Sequence, residues 1–233
     1  MADIELRAYI TEIEEILEAE KNDEAVAHCR HILDYFAKNL AVYRALGKGL
    51  LELGRLEDAA DIFYRVLGVV PDDFVAHVGM AVIGKEQEDF DRSIGHMERA
   101  FEAQSSNTAI QSELKQLYGR RDGVEPAKIR LTSGALARLY FRGGNYAQAA
   151  NELQAALEAA PNRVDWQVLL AKVLWKDEQR IDAVEVCQDV LEKLPYCLEA
   201  NSILYEIWQS AGREDEADNY WQRVKAVDPY LAH

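Results

Sequence analysis

Apolar residues recur along most of the chain at the three- and four-residue spacing of amphipathic helices, with polar residues between them. The same arrangement of small, apolar and polar positions occurs twice, as LELGRLEDAADIF at 51–63 and as QSAGREDEADNYW at 209–221. The chain therefore contains one helical unit more than once. The matching positions are Gly54 and Gly212, Ala59 and Ala217, and Phe63 and Trp221.

Three prolines give the length of this unit. Pro161, Pro195 and Pro229 are separated by 34 residues, and each follows a helical apolar pattern. A fixed period of this length is typical of stacked two-helix units. If residues 108–129 are an insertion, both halves of the chain have the same register. Six units then align, at 6–39, 40–73, 74–107, 130–163, 164–197 and 198–231.

Aligned positions of the units support close packing of helices. One position never carries a large side chain, which is what two closely crossing helices require. Its residues are Ala25, Ala59, Ser93, Ala149, Ala183 and Ala217. A neighbouring position carries residues that fill the space between successive pairs, namely Cys29, Phe63, Met97, Leu153, Cys187 and Trp221. Gly54, Gly144 and Gly212 fall in the turn within a unit, where we expect a positive φ angle.

The insertion predicts one further helix and a loop. Residues 108–118 place Ile110, Leu114 and Tyr118 on one helical face. Residues 119–128 contain the breakers Gly119, Gly123 and Pro126, so we expect a loop there and a new helix from about Ile129. The chain should therefore form thirteen helices.

This pattern resembles the tetratricopeptide repeat family, in the form of a bacterial-type array, over nearly the whole chain. The resemblance implies an all-α fold, a right-handed α-solenoid of stacked antiparallel helix pairs in a single domain. It also implies a concave groove, lined by the first helix of each pair, that holds a peptide or helix of another protein. Catalysis is not implied.

Charge limits the classes of partner. The chain has 26 Lys and Arg against 41 Asp and Glu, a formal charge of −15, which disfavours nucleic acid and anionic membranes as partners. The N-terminal segment has neither the basic start nor the apolar run of a signal peptide, and no later run is long enough for a membrane span. We therefore expect a cytoplasmic protein. Three widely spaced cysteines do not indicate a disulfide framework.

Positive charge is concentrated near the insertion. Seven Lys and Arg but three Asp and Glu lie between Thr108 and Tyr146. Arg138 and Arg142 lie one helical turn apart, and Lys172 and Lys176 occupy the same positions of the next unit. By the family resemblance these positions face the groove. The candidate residues for binding a partner are Arg44, Lys48, Arg138, Phe141, Arg142, Lys172, Trp175 and Lys176.

Two interpretations of these cations stay open. The groove binds an acidic peptide or protein segment, with Arg138 and Arg142 forming forked contacts to carboxylates. Alternatively, the cations pair internally with carboxylates such as Asp165, Asp177 and Glu178. Phe141 and Trp175 are either anchors for a partner side chain or part of the core.

Other candidates lie outside the groove. The inserted loop offers Arg120, Arg121 and Lys128, and it either binds a partner or only changes the curvature of the array. The last unit has no further helix to cover it, so Tyr220, Trp221 and Val224 are candidates for self-association, as in a self-assembling scaffold or homo-oligomer. No pattern predicts catalytic residues, a cofactor or a metal site.

Overall fold

The computed structural model describes residues 5–229, which form thirteen α-helices and no strand. The predicted all-α helical repeat solenoid is confirmed; residues 230 and 231 of the last predicted unit lie outside the described range. The helices are α1 (Leu6–Glu18), α2 (Asn22–Tyr35), α3 (Leu40–Glu52), α4 (Leu56–Leu67), α5 (Phe74–Glu86), α6 (Phe90–Ala103), α7 (Thr108–Asp122), α8 (Ser133–Arg142), α9 (Tyr146–Ala159), α10 (Val164–Lys176), α11 (Arg180–Lys193), α12 (Leu198–Ser210) and α13 (Glu214–Val227).

Helix pairs pack through the small residues that the alignment identified. Ala25, Ala59, Ser93, Ala149 and Ala183 are completely buried, so the backbones of paired helices approach closely. The neighbouring position is also buried in the first five units. Contacts between first helices join α1 to α3 to α5, and α8 to α10 to α12.

The turn inside each unit contains one residue in the left-handed conformation. Gly54, Gly144 and Gly212 have φ angles of 71°, 73° and 70°, as predicted. The equivalent position of the other three units carries glutamate, with φ close to 60°. These residues are Glu20, Glu88 and Glu178.

Replacing Glu20, Glu88 or Glu178 by glycine is expected to raise the free energy of unfolding by up to about 1 kcal/mol per site. The left-handed conformation costs a residue with a Cβ atom roughly 1–2 kcal/mol. Glycine removes this cost, but its greater backbone entropy in the unfolded state offsets part of the gain. Urea unfolding of each single variant measures the change. Glu185→Gly, in the middle of α11, is the control and should lower the free energy of unfolding by about 1 kcal/mol. A loss of stability at the turn positions would contradict the prediction.

The inserted segment differs from its predicted boundaries. Helix α7 continues through Gly119 to Asp122, and Gly123, with φ 79°, ends it. Gly119 is inside the helix because the returning loop packs against it: a Cβ there would lie 2.5 Å from Glu125 Cγ. The next helix begins at Ser133, later than the predicted Ile129, and Thr132 Oγ1 caps it by accepting from Ala135 N at 3.2 Å. Helix α8 packs against α6.

A buried carboxylate joins the two halves of the array at this insertion. Glu102 is 2% exposed and accepts hydrogen bonds from Thr132 Oγ1 at 2.8 Å, Arg163 at 2.7 Å and Trp166 Nε1 at 2.8 Å. Arg163 also pairs with buried Asp165 and stacks 3.8 Å from the Trp166 ring centroid. Burial alone would raise the pKa of Asp165, but the hydrogen bonds and charge of Arg163 hold it below its usual value. We call these five residues the Glu102 junction.

The second half of the array folds back onto the turn between α4 and α5. The backbone N–H of Leu198 donates to Val69 O at 2.9 Å, and the Leu198 side chain packs on the core of the first half. Lys38 Nζ donates to Tyr196 Oη at 3.1 Å and lies 4.2 Å from the ring centroid. These two pairs, Val69–Leu198 and Lys38–Tyr196, are called the closing contact below.

Candidate partner-binding surface

Beside the closing contact is a pocket of about 460 Å³, called the central pocket below. Its walls come from the start of α3, the turn 69–72, α8, α10 and the start of α12. Five of the eight predicted groove residues line it. They are Arg44, Arg138, Phe141, Arg142 and Lys172.

Three of the four cations in this pocket have carboxylate partners within the chain. Arg138 is 2.8 Å from Asp72, and Lys172 Nζ is 3.0 Å from Glu199. Arg44 Nε donates at 2.7 Å to Asp73, which is nearly inaccessible to solvent. Internal pairing is therefore extensive, but its acids are not those suggested by the sequence. Asp165 pairs with Arg163, and Asp177 accepts from Gln179.

The sequence did not identify Asp72 and Glu199 because they belong to other units than Arg138 and Lys172, whereas Asp73 and Arg44 lie at opposite ends of one unit. Asp72 and Asp73 precede α5, whereas Arg138 is on α8. Asp73 could be recognised from the sequence only as a helix N-cap, because an Asp directly before a helix typically has this role. It is the N-cap of α5 and accepts from Ala76 N at 2.8 Å.

Two cations of the central pocket keep hydrogen-bonding capacity. Arg138 Nε is buried and has no hydrogen-bond acceptor among residues 5–229. Arg142 is exposed and donates one bond, at 2.9 Å, to Ala103 O, which leaves most of the five N–H groups of its guanidinium. Phe141 is half-buried beside them.

The other three predicted groove residues lie elsewhere. Lys48 is exposed in a separate groove formed by the first units. Trp175 is half-buried, and its Nε1 donates to Glu206 at 3.0 Å. Lys176 is exposed at the end of α10.

The three cations predicted for the inserted loop lie at the surface, but Arg120 and Arg121 are in the last turn of α7, and Lys128 is in the loop that follows. Arg121 pairs with Asp122 at 2.7 Å and lies 3.3 Å from Asp91. Arg120 and Lys128 are exposed. A cavity of about 450 Å³ lies between α7 and the loop, and Arg121 and Lys128 are among its lining residues.

The three C-terminal candidates differ in exposure. Val224 is 1% exposed and belongs to the interior, so it offers no surface to a second molecule in this structure. Trp221 is half-buried and stacks on Tyr205, with ring centroids 4.7 Å apart. Tyr220 is half-buried and lines a shallow cavity between α11 and α13.

A histidine pair, buried at His77 and half-buried at His96, lies beside the turn that bears Asp72. His77 and His96 are joined through their Nδ1 atoms at 2.9 Å, and His77 Nε2 is 2.9 Å from Pro71 O. A carbonyl only accepts, so His77 Nε2 carries the hydrogen and His77 Nδ1 accepts from His96 Nδ1–H. Burial lowers the pKa of His77 to about 4. Burial, with the charges of His77 and Arg99, lowers that of His96 to about 3.

Acid is expected to destabilise the fold through this pair. The unfolded histidines have a pKa of about 6.5, so below that pH the unfolded chain binds protons that the folded pair does not. The free energy of unfolding should therefore fall as the pH decreases from about 6.5 towards about 4. Urea unfolding at several pH values should give a flatter profile for the His77→Gln/His96→Gln double variant. Equal slopes for both proteins would contradict the prediction.

Some other chemistries find no support in the described residues. Burial raises the pKa of Cys29 to about 12 and of Cys197 to about 11, so both thiols stay protonated at neutral pH. Residues 5–229 contain no group of three or more His, Cys, Asp or Glu side chains placed to hold a metal ion. Over the same range, no helix combines the length and apolar character needed to cross a bilayer.

Comparison with known proteins identifies the family. Tetratricopeptide repeat models match residues 17–83 and 135–196, which together make up more than half of the chain. Superkiller protein 3 of Schizosaccharomyces pombe is 23% identical over 146 residues, 63% of this chain but 9% of that protein.

Solved structures of repeat proteins also align with this chain. The TPR domain of P58(IPK) aligns over 95% of this chain and 60% of that chain, with 14% identity and a TM-score of 0.43. A tetratricopeptide repeat protein from Parabacteroides merdae aligns over 95% of this chain and 78% of that chain, with 12% identity and a TM-score of 0.44. On the two repeat matches and the observed helix pairs, this chain belongs to the tetratricopeptide repeat family.

Proposed function

We propose that this chain is a non-catalytic protein-interaction module that binds an acidic segment of a partner protein in the central pocket. The observation that carries the proposal is the exposed Arg142 in the wall of the central pocket, which donates one hydrogen bond, to Ala103 O, within the described residues. Most of the five N–H groups of its guanidinium therefore remain for the oxygen atoms of a partner carboxylate.

The neighbours of Arg142 suit the same ligand. Forked guanidinium contacts to carboxylates are strong and directional, and Arg138 adds positive charge to the same pocket. Phe141 also lines the pocket and provides an apolar surface for the side chain next to the acid. An acidic segment with one apolar residue matches this arrangement.

Arg138 and Lys172 also hold the array together through Asp72 and Glu199. Reversing the charge of Arg138 would place it beside Asp72 as a like charge, and the resulting damage to the fold would resemble loss of binding. A test of binding therefore needs changes that keep the internal pairs. Arg138→Lys keeps a cation beside Asp72 but removes the forked donor, and Arg142→Glu changes an exposed residue.

The test is selection from a library of random 12-residue peptides, followed by fluorescence anisotropy with one selected peptide. We expect the selected peptides to be rich in Asp and Glu. Their affinity should fall at least tenfold in Arg138→Lys and in Arg142→Glu and should weaken as salt rises. Arg30→Glu, an exposed change on α2, is the control and should bind normally. Selected peptides without acids, or equal binding by all variants, would contradict the proposal.

Self-association is the alternative function. It has less support, because Val224 is buried and Trp221 already stacks on Tyr205. If the chain is a self-assembling scaffold, light scattering should give a mass above 26.4 kDa, and Trp221→Glu should lower it. A monomer at all concentrations would rule out this alternative.

A further inference from the structure

The first three units form a second groove, larger than the central pocket. It has a volume of about 1100 Å³ and lies along the first helices α1, α3 and α5. We call it the N-terminal groove. Half-buried apolar side chains form its floor, among them Leu51, Val78 and Val82. Its volume is above the 300–1,000 Å³ typical of small-molecule pockets, so it has room for a segment of polypeptide.

Exposed carboxylates surround this apolar floor. The glutamates that line the groove are Glu14, Glu18, Glu20, Glu52 and Glu86, against the single cation Lys48. The structure shows no salt bridge to any of these five within residues 5–229. The central pocket is different, because its cations are largely neutralised by the chain itself.

The repeat explains why these carboxylates share one face. Glu18, Glu52 and Glu86 occupy the repeat position that Arg142 and Lys176 occupy in the second half of the chain. Side chains one helical turn apart, such as Glu14 and Glu18, lie on the same face of a helix. Packed helices have axes 8–10 Å apart, so three adjacent first helices present carboxylates over roughly 20 Å.

We propose that the N-terminal groove binds an amphipathic, cationic segment of a partner protein, with apolar side chains on the floor and Lys or Arg side chains at the glutamates. The like charges on the rim repel one another in the free protein, and a cationic segment removes this repulsion. An amphipathic segment gains favourable free energy by burying the apolar floor under its own apolar side chains. A cationic segment without apolar side chains lacks this gain and should bind more weakly. This surface is separate from the central pocket and does not depend on binding of an acidic segment there.

The probes are three labelled 18-residue peptides. The first alternates Leu and Lys with the spacing of an amphipathic helix, the second has Glu in place of Lys, and the third has Ser in place of Leu. Fluorescence anisotropy with the full chain should detect binding of the Leu/Lys peptide. Binding should be at least tenfold weaker for the Ser/Lys peptide and for the Leu/Glu peptide.

Two protein variants locate the site. Glu14→Gln/Glu52→Gln/Glu86→Gln neutralises three exposed residues of the groove, and it should bind the Leu/Lys peptide at least tenfold more weakly. Glu158→Gln/Glu185→Gln/Glu192→Gln removes the same charge from exposed positions on α9 and α11, and it should bind within about twofold of the native chain. Circular dichroism should show equal helicity for both.

Three results would overturn the proposal: no binding of the Leu/Lys peptide, equal losses in the two triple variants, or equal binding of the Ser/Lys and Leu/Lys peptides. Equal losses would mean that an acidic protein attracts any polycation. The central-pocket variants Arg138→Lys and Arg142→Glu should bind the Leu/Lys peptide normally. Failure of this proposal can therefore be separated from failure of acidic-segment binding.

Discussion

Glu102→Ala is expected to lower the free energy of unfolding by about 3–5 kcal/mol, because it removes one member of a buried charged network. Arg163, Trp166 and Thr132 would each lose an acceptor. A buried donor without an acceptor costs more than the hydrogen bond contributed. Urea unfolding followed by circular dichroism measures the change.

The control for this variant is Glu158→Ala, on the exposed face of α9. Exposed substitutions without specific contacts usually change stability by less than about 0.5 kcal/mol. If Glu102→Ala and Glu158→Ala had similar effects, the Glu102 junction would not contribute to holding the two halves together.

Gly79→Ala is expected to destabilise the first half of the array by about 1–3 kcal/mol, as overpacking of a core does. The ring of Phe63 is completely buried, and a Cβ on Gly79 would lie 2.3 Å from it. Gly47 faces the same ring, with a corresponding distance of 2.6 Å. Glycine on both α3 and α5 therefore makes room for one phenylalanine from α4.

A double variant tests this explanation. Phe63→Leu should be less destabilising in the Gly79→Ala background than alone, because the smaller side chain leaves room for the new methyl group. The coupling energy should be of order 1 kcal/mol. Gly95→Ala, where the nearest atom is 3.5 Å away, is the control and should be neutral or stabilising by up to about 1 kcal/mol. Additive effects of Gly79→Ala and Phe63→Leu would contradict the contact.

The repeating part of the fold could be predicted from the sequence, because the contacts and turns inside each helix pair depend on residues that recur with the period. Residues such as Ala59 and Gly54 recur with the unit, and each reports a contact or turn inside one helix pair. The insertion was harder, because its ends depend on packing that has no second copy to align. Gly119 was interpreted as a helix breaker, but it is a point of close approach to Glu125.

The candidate site was predicted in part for the same reason. The period placed Arg138, Arg142 and Lys172 on one face, and the structure places all three in the central pocket. Asp72, the partner of Arg138, comes from the second unit and reaches α8 only because distant units meet in the folded array, whereas Glu199, the partner of Lys172, belongs to the next unit along the chain. The acidic N-terminal groove had a signal in the sequence, because Glu18, Glu52 and Glu86 share a repeat position.

The closing contact changes the mechanical character of the array. In an open solenoid each unit contacts only its neighbours, so small rotations between successive units add up along the array. The bond between Val69 and Leu198 links the second unit to the sixth. Extending the array therefore requires this bond to break together with the Lys38–Tyr196 bond and the Arg138–Asp72 ion pair, which also join the two halves.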